Sequence, residues 1–366
     1  MLAVFDDDAT IAHALAFEAA LARAQATEGV ISGELARAIV DACTSTAIGA
    51  AELAEEAALA GTLAIPLVAR LRASLGGDAK NAVHKGATSQ DVADTVLMLQ
   101  ARAATALLLT DLDRIVDALG RLAMHHAETP AVGRTLLQDA VPVAFGLRIA
   151  HWMVGVADAA ERLRRDVEDN ARIQLGGAAG TRAGLGGAGL AVASHMAEEL
   201  GLAASEPWHA RRIGIAAIGT SLAIAIGAIG KMARDLALLS QNSVGEAREP
   251  AVAGRGGSSA MAHKRNPTGC QIALSAALRA PGLAATLLVG LPQEEERGLG
   301  GWQAEGPVLA DLFLLAAGAA EAMASVAEAL EIDEDAIARN LANAGIGTDI
   351  GESAAIVRAL VSRHEG

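Results

Sequence analysis

The sequence predicts an all-α fold built around a long helical bundle, and three observations carry that expectation. Hydrophobic residues make up 52% of the 366-residue chain while aromatic residues make up only 2%, with no tyrosine. The apolar mass is therefore alanine, leucine, isoleucine and valine, and alanine and leucine are strong helix formers. Apolar positions also recur at helical spacing over long stretches, as a bundle requires. Finally, residues 213–230, IGIAAIGTSLAIAIGAIG, form an uncharged run between Arg211-Arg212 and Lys231. Such a run is long enough to suggest a membrane helix. Its repeated glycines, and the expectation that no second such segment exists, favour the buried centre of a large soluble bundle. No membrane is expected.

Along the chain, residues 9–30 place Ile11, Ala14, Leu15, Phe17, Leu21 and Ala24 at helical spacing, and further helices follow to about residue 75. In 84–95, HKGATSQDVADT, Gly86 breaks the pattern and Thr88-Ser89-Gln90-Asp91 opens a long helix to about residue 122. Thr88 with Asp91 fits a capping box. The same hydroxyls of Thr88 and Ser89, with free N–H groups, also suit a substrate carboxylate, with His84 and Lys85 adding positive charge. Residues 133–146, GRTLLQDAVPVAFG, precede a helix expected from Pro142 to about Asp169.

The run GLGGAG at 184–189 matches GxGxxG. No strand precedes it, so a dinucleotide site is rejected; the loop, with Gln174 and Thr181, joins long helices. His209, in Trp208-His209-Ala210-Arg211-Arg212, is either a packing residue or the best placed functional histidine. Residues 254–267, GRGGSSAMAHKRNP, combine glycines, hydroxyls and cations. Asn266 as N-cap and Pro267 as first helical residue then start a helix over 267–290. A mobile loop of this kind on a helix N-terminus suits closure over an anion. Three domains are expected: residues 1–90, 91–333 and 334–366.

The formal net charge of -14 argues against nucleic acid, since no basic stripe is present to neutralise phosphates. Cys43 and Cys270 have no metal or redox spacing and suit a reducing compartment. The start, MLAVFDDDAT, lacks the basic end of a signal peptide, so cytoplasm is the expected location. No metal and no cofactor is expected.

The run 257–266, GSSAMAHKRN, resembles the signature loop of the fumarase/aspartase superfamily, with Ala262 in place of the usual proline. GATSQD and GRTLLQDAVP are similar to that superfamily's first and second conserved regions. The PWH of 207–209, the GRT segment and PQEEERGLGGWQAE of 292–305 together resemble its cycloisomerase branch. The resemblance implies a small N-terminal helical domain, a long-helix bundle and a shortened C-terminal domain. It also implies a homotetramer with each site shared by three subunits, and a small tricarboxylate as substrate. Ser258 and Lys264 are the implied catalytic residues. Thr88, Ser89, Thr135, Gln138, His209, Ser259, Asn266 and Arg297 are the implied substrate-binding residues, with Glu305 at a pocket or interface.

Lyases of the superfamily that expel amines or water carry a histidine at the place of Leu136 or Asp139, and neither is histidine here. The cycloisomerase branch closes a carboxylated muconate into its lactone, so its leaving group in the reverse direction is a weakly basic carboxylate. Three alternatives stay open: a substituted muconate such as the sulfo analogue, a lyase acting on adenylosuccinate, and a non-catalytic helical protein.

Overall fold

A computed structural model of the chain describes residues 1–257, 259–261 and 264–364. Short helices come first: α1 (Asp7–Thr27), α2 (Gly33–Ser45), α3 (Ala50–Ala60), α4 (Ala64–Ala73) and α5 (Gly77–Ala82). The long α6 (Ser89–His125) follows, then strands β1 (Pro130–Thr135) and β2 (Gln138–Ala144), and α7 (Phe145–Asn170). Next come α8 (Gly189–Leu200), α9 (Ile213–Leu239), β3 (Ala247–Arg248), α10 (Thr268–Val289) and α11 (Gly301–Glu328). β4 (Glu331–Ile332), α12 (Glu334–Ala344) and α13 (Ser353–Ser362) complete the chain. The fold is mostly helical, as expected. Among the described residues the strands form the antiparallel hairpin β1–β2 and the short pair β3–β4. The hairpin corrects the expected helix start at Pro142. Pro142 pairs with Val132 in the sheet, and the helix begins at Phe145.

Local signals fix several helix ends. Asp6 accepts from Ala9 N to cap α1, with Asp7 and Asp8 in the first turn, and Asp333 accepts from Ala336 N to cap α12. Gly61, Gly201 and Gly345 end α3, α8 and α12 in the left-handed conformation that glycine adopts without strain.

The chain divides into two compact units. The first comprises Met1–Thr105, Asp166–Ile218 and Ala285–Ala310; the second comprises Ala106–Arg165, Gly219–Ala284 and Asp311–Gly366. In the first unit, Phe17, Leu21, Leu67, Leu71, Leu175 and Met196 share one core. Beside it lies a buried ionic cluster. Arg212, at the start of α9, donates to Asp94 on α6 (2.7 and 2.8 Å) and to Glu305 on α11 (3.0 Å). Its guanidinium also stacks on Trp208, 4.8 Å from the ring centroid. Burial favours the neutral guanidine, but Asp94 and Glu305 outweigh it and hold the Arg212 pKa above its ordinary value. Glu305 is therefore a buried structural partner. In the second unit, Trp152 on α7 donates to Asp235 on α9 (2.7 Å).

Among the described residues, α6, α9, α10 and α11 are each long and apolar enough to cross a membrane. That corrects the expectation of a single such stretch, because scattered charges leave apolar windows between them. The shares of those windows buried are 67, 56, 28 and 50% respectively, so α9 is only half covered and α10 is largely open in the single chain.

The turn before α6 is pinned to α1. His84 Nδ1 meets the buried Glu18 carboxylate at 2.6 Å, Gln25 Nε2 donates to Lys85 O (2.6 Å), and Lys85 Nζ donates to Val30 O (3.1 Å). Burial alone lowers the His84 pKa, but Glu18 outweighs it, and the net direction is up from 6.5. A raised folded-state pKa contributes stability that is complete below the unfolded value and lost as pH rises through the folded value. Denaturant unfolding of wild type and His84→Gln should show their largest stability difference near about pH 5.5 and their smallest near about pH 9. A difference independent of pH contradicts a protonated pair.

Candidate functional site

In the first unit, one face of α6 organises the candidate carboxylate-binding turn. Asp91 Oδ2 accepts from Thr88 N (2.9 Å), which is half of the expected capping box. The other half is diverted: the Thr88 hydroxyl accepts from Arg297 Nη1 (2.8 Å). Thr88 and Arg297, far apart in sequence, therefore meet. Ser89 lines an adjoining pocket of about 310 Å³ with Asp94, Gln100, Trp302 and Gln303.

The glycine-rich segment closes on the same carboxylate. Gly176 N and Gly177 N each donate to Asp91 at 2.9 Å. A Cβ at Gly176 would lie 2.5 Å from His209 Cε1, and one at Gly177, where φ is +71°, would lie 2.8 Å from Gly86 O. Glycine is needed for this approach. His209 is buried, with Nε2 2.7 Å from Asp91 Oδ1. Gln174 bridges the segments, donating to Asp94 (3.0 Å) and accepting from Trp208 N (2.9 Å).

In the second unit, the β1–β2 hairpin carries Thr135 and Gln138, which pair across its tip and are both exposed. Its two-residue turn is Leu136-Leu137, both at positive φ (51° and 63°) and 96% and 76% exposed. A turn with two positive φ angles prefers Asn-Gly, and leucine there costs about 1 kcal/mol or more per residue. Strain of this kind concentrates at functional segments. Asp139 lies 3.6 Å from Arg134 Nε. Arg134 forms a two-pronged pair with the buried Glu246 (2.6 and 3.0 Å), which raises its pKa, and Glu246 also accepts from Asn340 (2.8 Å).

Lys264 and Asn266 line a second-unit pocket of about 780 Å³ with Asn242, Arg248, Arg255 and Arg265. Ser259 is exposed; Ser258 lies outside the described residues. Asn266 does not act as the expected N-cap. Its amide donates to Gly257 O (3.2 Å), and Glu249 instead accepts from Gly269 N (3.0 Å) and Cys270 N (2.7 Å). The start of α10 thus already holds an anion, a buried carboxylate supplied from 20 residues upstream, which corrects the expectation that a substrate anion takes that helix end. Burial and Glu249 push the Cys270 thiol up, so it is no nucleophile.

Glu246 and Glu249 were missed by sequence reasoning, and Asp91 was read only as the capping partner of Thr88. In a chain of net charge -14, an acidic residue reads as a solvated surface group. The available signal was their position beside glycine-rich or hydroxyl-rich segments. Among the described residues, His125, His126 and Glu334 are the group that approaches metal-binding geometry, with donor atoms within 4.8 Å of one another. His125 and Glu334 are exposed, and His126 Nδ1 already faces Thr129 Oγ1 at 3.3 Å.

Comparison with known proteins gives the family and the fold. Residues 3–282 match a family model described as a lyase. The chain is 47% identical to 3-carboxy-cis,cis-muconate cycloisomerase of Bradyrhizobium diazoefficiens, over 93% of this chain and 76% of that protein. It is 40% identical to nitrosuccinate lyase of Streptomyces davaonensis, over 97% of this chain and 77% of that protein. Its fold matches the crystal structure of 3-carboxy-cis,cis-muconate lactonizing enzyme from Pseudomonas putida with a TM-score of 0.87 and 36% identity, covering 100% of this chain and 85% of that one.

The glycine contact yields a direct test. Gly176→Ala should lower the unfolding free energy by about 1–3 kcal/mol, because a methyl group is forced against the His209 ring. Thermal and urea unfolding unchanged from wild type would refute the close packing of this segment.

Proposed function

Since the chain belongs to the fumarase/aspartase-like lyase family, we propose that it is a soluble cycloisomerase interconverting 3-carboxy-cis,cis-muconate and 4-carboxymuconolactone. One observation carries the reading: hydroxyls and cations suited to several carboxylates are present, while the hairpin carries Leu136 and Asp139, and no histidine, at the two places where amine- and water-expelling lyases of the family carry one.

In the lactonising direction, one substrate carboxylate adds across a double bond and a proton is delivered to the carbon beside another carboxylate. In reverse, a base removes that proton, a dianionic enolate forms, and the ring oxygen leaves. The enolate needs preorganised donors and cations, usually the largest single contribution to such catalysis. Thr88, Ser89 and Arg297 hold one carboxylate, Thr135, Gln138, Ser259 and Asn266 offer further polar contacts, and Lys264 supplies positive charge. Ser258 moves the proton, its alkoxide steadied by loop amides and Lys264. A proton donor is worth roughly 100- to 10,000-fold when the leaving group is strongly basic. The lactone expels a carboxylate whose reference pKa is near 4. It departs unprotonated, and Leu136 costs the enzyme little.

The functional unit is a homotetramer whose sites draw on three subunits. Support comes from the apolar surface that the single chain leaves open: Ile272, Leu278, Leu288 and Val289 on α10, Ile224 on α9, and the strained Leu136-Leu137 tip. Apolar helix faces of this extent fit a partner surface better than water. A second copy supplies one of matching character.

Decay of the ultraviolet absorbance of 3-carboxymuconate on mixing with the protein tests the activity, with nitrosuccinate, the sulfo analogue and adenylosuccinate run alongside. Nitrosuccinate is the competing substrate to watch, since nitrite is also a weakly basic leaving group. Preferred turnover of any other substrate overturns the assignment. Ser258→Ala should abolish turnover, a loss of at least about 1,000-fold, with helical circular dichroism unchanged; near-normal activity removes Ser258 from the mechanism. Leu136→His should give no increase in lactonisation, and a gain of about tenfold or more contradicts the leaving-group account.

A further inference from the structure

We propose that His209 and Asp91 form a positioning pair for the Thr88–Ser89 turn, and that His209 neither touches the substrate nor carries its proton. This deepens the cycloisomerase reading and rests on it for the identity of the substrate. Four donors converge on the Asp91 carboxylate. Oδ1 accepts from His209 Nε2 (2.7 Å) and Gly176 N (2.9 Å), and Oδ2 accepts from Thr88 N and Gly177 N (both 2.9 Å). The carboxylate is buried. It therefore sets two main-chain segments against each other: the turn that opens α6 and the glycine segment before α8. Arg297 spans the same two segments, donating to Thr88 Oγ1 (2.8 Å) and reaching Ala178 O (3.4 Å).

Both Asp91 oxygens already accept from main-chain N–H groups, and the tautomer that completes this set of donors carries its hydrogen on Nε2. The ring is packed against Gly176, and its side chain is 2% exposed. His209 O accepts from Gln90 Nε2 (3.0 Å), which fixes the backbone as well. A general acid or base must come within hydrogen-bond reach of the reacting atom. This ring instead supplies the fourth donor of a saturated buried carboxylate. Without that donor, an Asp91 oxygen loses its shortest bond, and the turn and the glycine segment lose their fixed spacing.

Two substitutions separate positioning from chemistry. In His209→Gln the amide nitrogen replaces the Nε2 donor, whereas His209→Leu keeps the bulk and removes the donor. The full-length proteins are compared by calorimetric binding of tricarballylate, a non-reacting tricarboxylate, and by KM and kcat on 3-carboxymuconate. His209→Leu should weaken tricarballylate binding and raise KM by roughly 10- to 100-fold, with kcat changed by less than about threefold. His209→Gln should restore both to within about threefold of wild type. Loss of kcat in His209→Gln means that the imidazole does chemistry and overturns the proposal. So does a fall in kcat at constant KM in His209→Leu, the pattern of fewer folded sites, and so does tricarballylate binding that is absent from wild type or unchanged in His209→Leu. The binding arm needs no turnover. A wild type inert to 3-carboxymuconate, with the binding changes intact, therefore defeats the cycloisomerase reading alone and supports the positioning pair.

Discussion

Arg212, shut away from water between Asp94 and Glu305, is the constraint on which the first unit depends. It joins the start of α9 to α6 and α11. Such a cluster cannot be loosened at one corner, because removing one partner of a buried ion pair leaves an uncompensated charge at a cost of about 3–5 kcal/mol. Its geometry also sets the neighbourhood. Asp94 accepts from Gln174, and Arg212 stacks on Trp208, so the segments at 174–177 and 208–212 are held to the same face of α6 as the Thr88–Ser89 turn.

Elsewhere the same device recurs. Asp91 gathers the turn and the glycine segment, Glu246 holds Arg134 beneath the hairpin, and Glu249 closes the start of α10 below the serine loop. Each anchor is a buried carboxylate satisfied by several donors, and each lies next to, rather than among, the groups assigned to the substrate. This division explains how the strained hairpin tip keeps its position. Neighbouring carboxylates take the structural load beside Ser89, the exposed hairpin tip and Lys264, while the Thr88 hydroxyl meets Arg297. A net charge of -14 is compatible with an anionic substrate on this arrangement, since many of the acids near the site are already neutralised.

Much of this was legible in the sequence, for identifiable reasons. The long helices follow from an apolar composition almost without aromatic residues and from sustained helical spacing. The segments proposed to meet the substrate stand out in the sequence because glycine, hydroxyl and cationic residues cluster in them. The hairpin was not legible: Leu136-Leu137 carries no turn signal, and a strained turn cannot be inferred from residues that normally avoid it. Nor was the cap of α10, since Asn266-Pro267 is a sound local start and the anion that takes its place comes from Glu249. His209 was visible as a candidate but not as the partner of Asp91, a contact across 118 positions. Tertiary pairing of acids is the part that local pattern does not encode.

The most direct measurement is a crystal structure of the assembled protein with 4-carboxymuconolactone bound. The account predicts a tetramer in which the ligand's carboxylates meet Thr88, Ser89 and Arg297 of one protomer, the 135–138 tip of a second, and Lys264 with Asn266 of a third. A ligand bound away from these three segments, or a protein that turns over as a monomer, contradicts it.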